Sequence, residues 1–367
     1  MTLTIPPNPY PQSELIKGIR WLSEPLKYPN SHGDVWTCTW ADDGHLYSMS
    51  DDTTGINGAC NIPGMAYSGS NLAVHRIEGN PPNHQATTIN VMSEYGTAGY
   101  HDRMDSWKGN GMTCVDGVLY LAVSQHSGAG EYPDNIQRTY DCSIIKSTDH
   151  GQRWSPKRRD IMFPSPRFST PFFVEFGQDY ADAIDDYVYA TSSGCTWNNG
   201  NFMTLGRVRR DKLPHLYAGD WEIYDGLDSE GQPTWRRFDL YNPYNLGNKA
   251  IFKFRGYTSM TGMQYVLALK RFLLPQWAYT DLDNASPWRQ TTFHLYEAPM
   301  PWGPWKVVHV EDDWGHAWYN PCLPSKWFED GGLRMWMVAS GDFAGQRIGQ
   351  GETSDYCLIV RKLELVL

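Results

Sequence analysis

Apolar and polar positions alternate in short runs along the whole chain. The stretch DGHLYSMSDD, residues 43–52, opens on a tight-turn pair, continues as an alternating strand and ends in two adjacent carboxylates. The same form returns as DGVLYLAVSQ from Asp116, DDYVYATSS from Asp185, MQYVLALKR from Met263 and GGLRMWMVASGD from Gly331. A recurrence of about seventy residues marks a repeat architecture. Each copy is preceded by a first strand, DVWTCTWA, NGMTCV, TPFFVEFG, YTSMTG or NPCLPSKWF. Each is followed by a third, NLAVHRIEG, CSIIKSTD, MTLGRVRRD, TFHLYEAP or YCLIVRKLEL, and WEIYDG and WKVVHVE read as fourth strands. Four antiparallel strands repeated five times predict an all-β, five-bladed β-propeller. One domain is expected over residues 1–367, with blades near 34–95, 108–165, 169–228, 255–312 and 318–367. The last repeat stops after its third strand. The N-terminal segment, residues 1–30, is therefore expected to close the ring with a strand near IRWLSEPL. No long window carries helical periodicity.

This topology gives the paired acids a place. In a propeller the first strand of each blade lines the central channel and the second runs back beside it. The start of the first and the end of the second then share one rim. Asp34 starts the first strand of the first repeat, and Asp51 and Asp52 end the second. The pattern brings Asp34 together with one of the two, without choosing between them. Two carboxylates facing a pocket serve as acid and base or nucleophile in glycoside hydrolysis, provided their environments split their pKa values.

The same rule places Lys108 and His126, Thr170, Arg255 and Arg271, and Asn320 and Asp342 on that rim as substrate contacts. Long loops leave the same face and carry Tyr67, Trp197, Trp277 and Tyr279, platforms suited to sugar rings. His101, Asp102 and Arg103 form a further polar cluster in a loop. STDHGQRW, Ser147 to Trp154, matches the S-x-D-x-G-x-x-W turn called an Asp-box and reads as structural.

Composition narrows the partners. Aromatics are 14% of the chain, and 34 Gly and 24 Pro suit short strands and turns. The net charge of -10 argues against nucleic acid and anionic membranes and suits a neutral or weakly charged ligand, although a local basic pocket could still bind an anion; with the paired acids, a carbohydrate substrate is the expected partner. Seven cysteines without a CxxC pair read mostly as free buried thiols. No metal motif, Walker loop or GxSxG is spelled, so no cofactor is expected, although a propeller channel has room for a structural ion. MTLTIPPNPYPQSEL lacks the charged and apolar regions of a signal peptide, which points to the cytoplasm unless a leader has been removed. With its sheet edges closed in a ring, the protein is expected to be a monomer or weak dimer.

DVWTCTWADDGHLYSMSDDTTG resembles a bacterial family, domain-of-unknown-function family 4185, part of which is glycoside hydrolase family 183. Members carry D-x-W-x-x-T-W-A-D-D-G followed by a strand ending Gly-Asp-Gly. FVEFGQDYADAIDDYVYATS, YEAPMPWGPW and KWFEDGGLRMWMVASGDF follow in family order, so the similarity covers about residues 34 to 343. The resemblance implies a five-bladed propeller and, for the characterised branch, endo-acting hydrolysis of D-arabinan. It also implies that Asp34 and Asp52 are the catalytic pair. The chain departs from the pattern where Ser50-Asp51-Asp52-Thr53 replaces Gly-Asp-Gly. Two further functions fit the same rim. One is a polysaccharide lyase using His126 as base with basic residues; the other is a carbohydrate-binding propeller without catalysis.

Overall fold

The computed structural model describes residues 6–61, 69–97, 107–127, 136–157, 162–164, 166, 168–239, 249–280, 290–315, 317–341 and 355–367. Within them every regular element is a strand or a short 3-10 turn, and the architecture is all-β, built largely of antiparallel sheets in chain order. The first sheet joins Ser31–Asp34 and Cys38–Trp40 to Leu46–Ile56, followed by Ser70–Glu78 and Gln85–Asn90. The second runs Trp107–Val115, Val118–Ser127, Arg138–Ser147 and Phe163–Pro164. A ten-stranded sheet follows. It consists of two antiparallel runs joined where Phe172–Glu175 lies parallel to Met263–Val266, with Val174 opposite Met263. The last sheet runs Tyr319–Cys322, Arg334–Ser340 and Ile359–Val366, and takes Gly18–Trp21 as its outermost strand. Gly18 pairs with Val366 and Trp21 with Leu363.

Alternation along the strands drives this packing. Each sheet presents apolar side chains to its neighbours, and the core lies between sheets. Met49, Leu72 and Val74 of the first meet Met112, Leu119 and Leu121 of the second. Trp36, Leu46 and Ile77 of the first meet Trp327, Trp336 and Val360 of the last. Each large side chain so buried contributes on the order of 1.5–3 kcal/mol.

The fourth repeat departs from the sequence reading. MQYVLALKR is not one strand: Met263–Val266 is innermost, Leu267 to Lys270 form a turn, and Arg271–Tyr279 is the second strand. YTSMTG is not the innermost strand either, since Phe252–Thr258 pairs with Gly200–Arg209. Trp277 and Tyr279 consequently lie in a strand, not in a rim loop.

The chain bends sharply where the innermost strand of the first sheet begins. Gly33, Val35 and Trp36 all have positive φ, at 128°, 71° and 42°. Left-handed backbone at a valine and a tryptophan costs on the order of 1–3 kcal/mol each. Neighbours hold it in place: the Val35 N–H donates to Ser340 Oγ at 3.2 Å, and the Trp36 indole donates to the Gly33 carbonyl at 2.8 Å. A Cβ on Gly33 would sit 2.6 Å from Thr53 Cβ. Gly33→Ala is expected to destabilise the protein by about 1–3 kcal/mol, read as a lower denaturant midpoint with an unchanged slope.

Candidate active site

Asp34 ends its strand directly opposite Asp51 in the antiparallel ladder. Residues so paired project to the same side of a sheet. Successive residues on a strand normally face opposite ways, which would separate Asp51 from Asp52. Asp52 breaks the alternation with φ at 42°. Both carboxylates consequently act on the same cation, the Lys108 ammonium, which forms an ion pair with Asp52. Asp51 is buried and accepts the Gly109 N–H at 2.9 Å, whereas the Asp52 side chain keeps 20% exposure. Lys108 and Gly109 come from the innermost strand of the second sheet, so the cluster spans two sheets.

A third side of the site comes from the last sheet. The Tyr319 hydroxyl donates to Asp34 Oδ2 at 2.8 Å, and the Tyr356 phenol also bonds the Asp34 carboxyl. Asp34 remains partly exposed.

These surroundings raise both Asp34 and Asp51. Burial first, and then the Asp52 charge, push Asp34 up to about 7, against the opposing pull of Lys108 and the two phenols. Burial raises Asp51 well above the carboxylate range, although Lys108 works the other way. Burial acts to lower the Lys108 pKa, but Asp52, Asp51 and Asp34 outweigh it and the ammonium is stabilised. Both phenols are raised, by burial and by Asp34. Burial lowers His32, against the charge of Asp52.

The remaining rim residues fall into separate groups. His126 packs edge-on against Trp197, with ring centroids 4.0 Å apart. Thr170 is buried and bonded to Ser192 and Ser193 at 3.0 Å. Asn320 is buried beside Tyr319, with left-handed φ at 49°. It lines a central cavity together with Thr37, Met112, Phe172 and Thr261. Arg271 is not on this rim. It follows the Leu267–Lys270 turn at the other end of its sheet, where it pairs with Glu297 at 3.0 Å. Arg255 is exposed on Phe252–Thr258, outside the innermost strands. Asp342, Tyr67, His101, Asp102 and Arg103 lie outside the described residues.

Sequence reasoning did not single out Tyr319 or Tyr356. Tyr319 starts the first strand of the last repeat, so the rule that selected Asp34 applies to it. Tyr356 sits just ahead of Ile359–Val366, where the preceding loop returns to the sheet. Away from the rim, Ser147–Trp154 is a turn in which Ser147 Oγ accepts the Gly151 N–H at 2.9 Å and the Trp154 indole caps the Gly151 carbonyl at 3.1 Å. Among the described residues, the group whose ligand atoms converge as for a metal is Asp42, Asp43 and His150. Asp42 and Asp43 belong to the turn at the opposite end of the first sheet from Asp34.

No protein-family model matches the chain. No curated protein matches it either. Among solved structures, a Bacteroides ovatus protein whose hydrolase designation is provisional superposes with a TM-score of 0.56 at 12% identity, covering 92% of this chain and 87% of that one. RS223 beta-xylosidase gives 0.48 at 12% identity, covering 93% and 94%. The Bacillus subtilis arabinanase Arb43A gives 0.43 at 12% identity, covering 90% and 94%.

Proposed function

We propose that this chain is a glycoside hydrolase acting on a polysaccharide, with Asp34 as general acid and Asp52 as the second carboxyl of the pair. The observation that carries the reading is the convergence on one rim of two acids with different partners. Asp34 is held near neutrality under two phenols, while Asp52 is paired with Lys108. Two carboxyls on one rim in unlike surroundings, one buried under phenols and one beside an ammonium, are an arrangement suited to glycosidic cleavage. The propeller is read as a single domain of five blades. Support comes from the two antiparallel runs within the ten-stranded sheet and from the pairing of Gly18–Trp21 with Ile359–Val366, taken as the closing strand. The motif order shared with glycoside hydrolase family 183 favours a D-arabinan-type furanoside.

The charge of the site favours an uncharged sugar. Three carboxylates, Asp34, Asp51 and Asp52, surround one ammonium, and that ammonium is already paired. A lyase needs a cation for its uronate. Among the described residues, neither Arg255 nor Arg271 supplies one here.

Wild-type protein incubated with a polysaccharide panel that includes D-arabinan is expected to release new reducing ends without near-ultraviolet absorbance. Unsaturated products would establish the lyase, and sugar affinity without any product would leave a binding propeller. For the hydrolase, kcat/KM is expected to fall above about pH 7 as Asp34 loses its proton. An alkaline limb beginning well above that value would remove Asp34 from the acid role.

A further inference from the structure

We propose that Asp34 and Asp51 hold one proton between them across the strand pair, which makes Asp51 the residue that keeps Asp34 loaded as an acid. The inference rests on the role given to Asp34 above and extends it to a third carboxyl. The two residues are register partners, so their side chains share a face. Each has one oxygen engaged: Asp34 Oδ2 by Tyr319, and Asp51 Oδ1 by the Gly109 N–H. Each has its other oxygen, Asp34 Oδ1 and Asp51 Oδ2, fully buried with no hydrogen-bond partner among the described residues.

Two buried, unpaired acceptors on paired residues are costly if both carboxyls are ionised, because neither can bond the other. A single proton makes one of them a donor and satisfies both. The surrounding groups leave that place open. Lys108 is committed to Asp52, Tyr319 and Tyr356 bond Asp34, and His32 carries a lowered pKa. With the proton, the three carboxylates and one ammonium carry a net charge one unit less negative. A pair of this kind titrates as a unit and not residue by residue.

The test does not depend on turnover. Carboxylic-acid C=O absorption is followed by infrared difference titration of the full chain between pH 4 and pH 9, in wild type, Asp34→Asn and Asp51→Asn. With a shared proton, Asp51→Asn lowers the titration midpoint of Asp34 by about one pH unit or more, because the new amide donates where the proton stood. By reciprocity, Asp34→Asn lowers the midpoint of Asp51. If the two carboxyls titrate independently, each variant removes one separate band and moves the other midpoint by no more than a few tenths of a pH unit, the through-space effect alone, which overturns the proposal. If one variant fails to fold, the reciprocal variant gives the same answer. A positive titration without any sugar cleavage would support the shared proton and reject the hydrolase. Cleavage with an unmoved midpoint would do the reverse.

Discussion

Asp34→Asn is expected to lose turnover by about 10²–10⁴-fold and, at the same time, to become more stable than wild type at alkaline pH. The two effects have one cause. Asp34 titrates at about 7 in the folded protein against an ordinary 3.8. Its folded pKa is raised, so its contribution is fully present below 3.8 and is lost as pH rises through 7. The full shift corresponds to about 4 kcal/mol, of which about 2–3 kcal/mol falls between pH 5 and pH 8. Asparagine keeps the shape and never ionises. Thermal melts should show the Tm difference, variant minus wild type, growing by about 3–4 °C from pH 5 to pH 8. A difference that is flat with pH would mean that Asp34 is ordinarily ionised, and the acid assignment would go with it.

Lys108→Met is expected to act in the opposite direction. Lys108 is 3% exposed and is the cation against which Asp52 is paired. Removing one partner of a buried pair leaves an uncompensated charge, at a cost of about 3–5 kcal/mol. The partial exposure of Asp52 places this site at the lower end of that range. The loss should be largest at pH 8 and smaller at pH 5, where Asp34 takes up a proton. Activity carries a second signature. Lys108 holds the Asp34 pKa down, so without it any remaining alkaline limb moves above pH 7. An equal loss of stability at both pH values would reduce Lys108 to a packing role. The double variant Lys108→Met/Asp52→Asn should recover part of the loss, which isolates the pair.

Much of the clustering at the candidate site was legible because strand topology converts sequence position into height along a strand. That rule put Asp34, Asp51, Asp52 and Lys108 at one end of the channel, where the structure brings them together, and the ladder pairs Asp34 with Asp51. What alternation alone could not supply was the left-handed residue at Asp52, which lets adjacent acids converge on one lysine. Arg255 and Arg271 were misplaced for a specific reason. The turn from Leu267 to Lys270 contains no Gly, Pro, Asn or Asp, so two strands read as one, and the rim was assigned to the wrong end of the fourth repeat. Lys270 takes the left-handed conformation that glycine or asparagine usually signals in such a turn. Tyr319 and Tyr356 escaped because aromatic residues at strand starts look like core.

The pairing of Gly18–Trp21 with Ile359–Val366 also sets a clock on the ribosome. Residues 18–21 emerge first among the strands and wait for partners near the other end of the chain. At ordinary rates of synthesis the wait is on the order of tens of seconds. Asp34 waits nearly as long for Tyr319. Until then the first sheet carries its acids with only the early-made Lys108 to balance them, and its apolar flank lacks the tryptophans of the last sheet. A chain stalled before Ile359–Val366 would present that bare flank to chaperones and proteases, so the seam that completes the site also reports that the last sheet has been made.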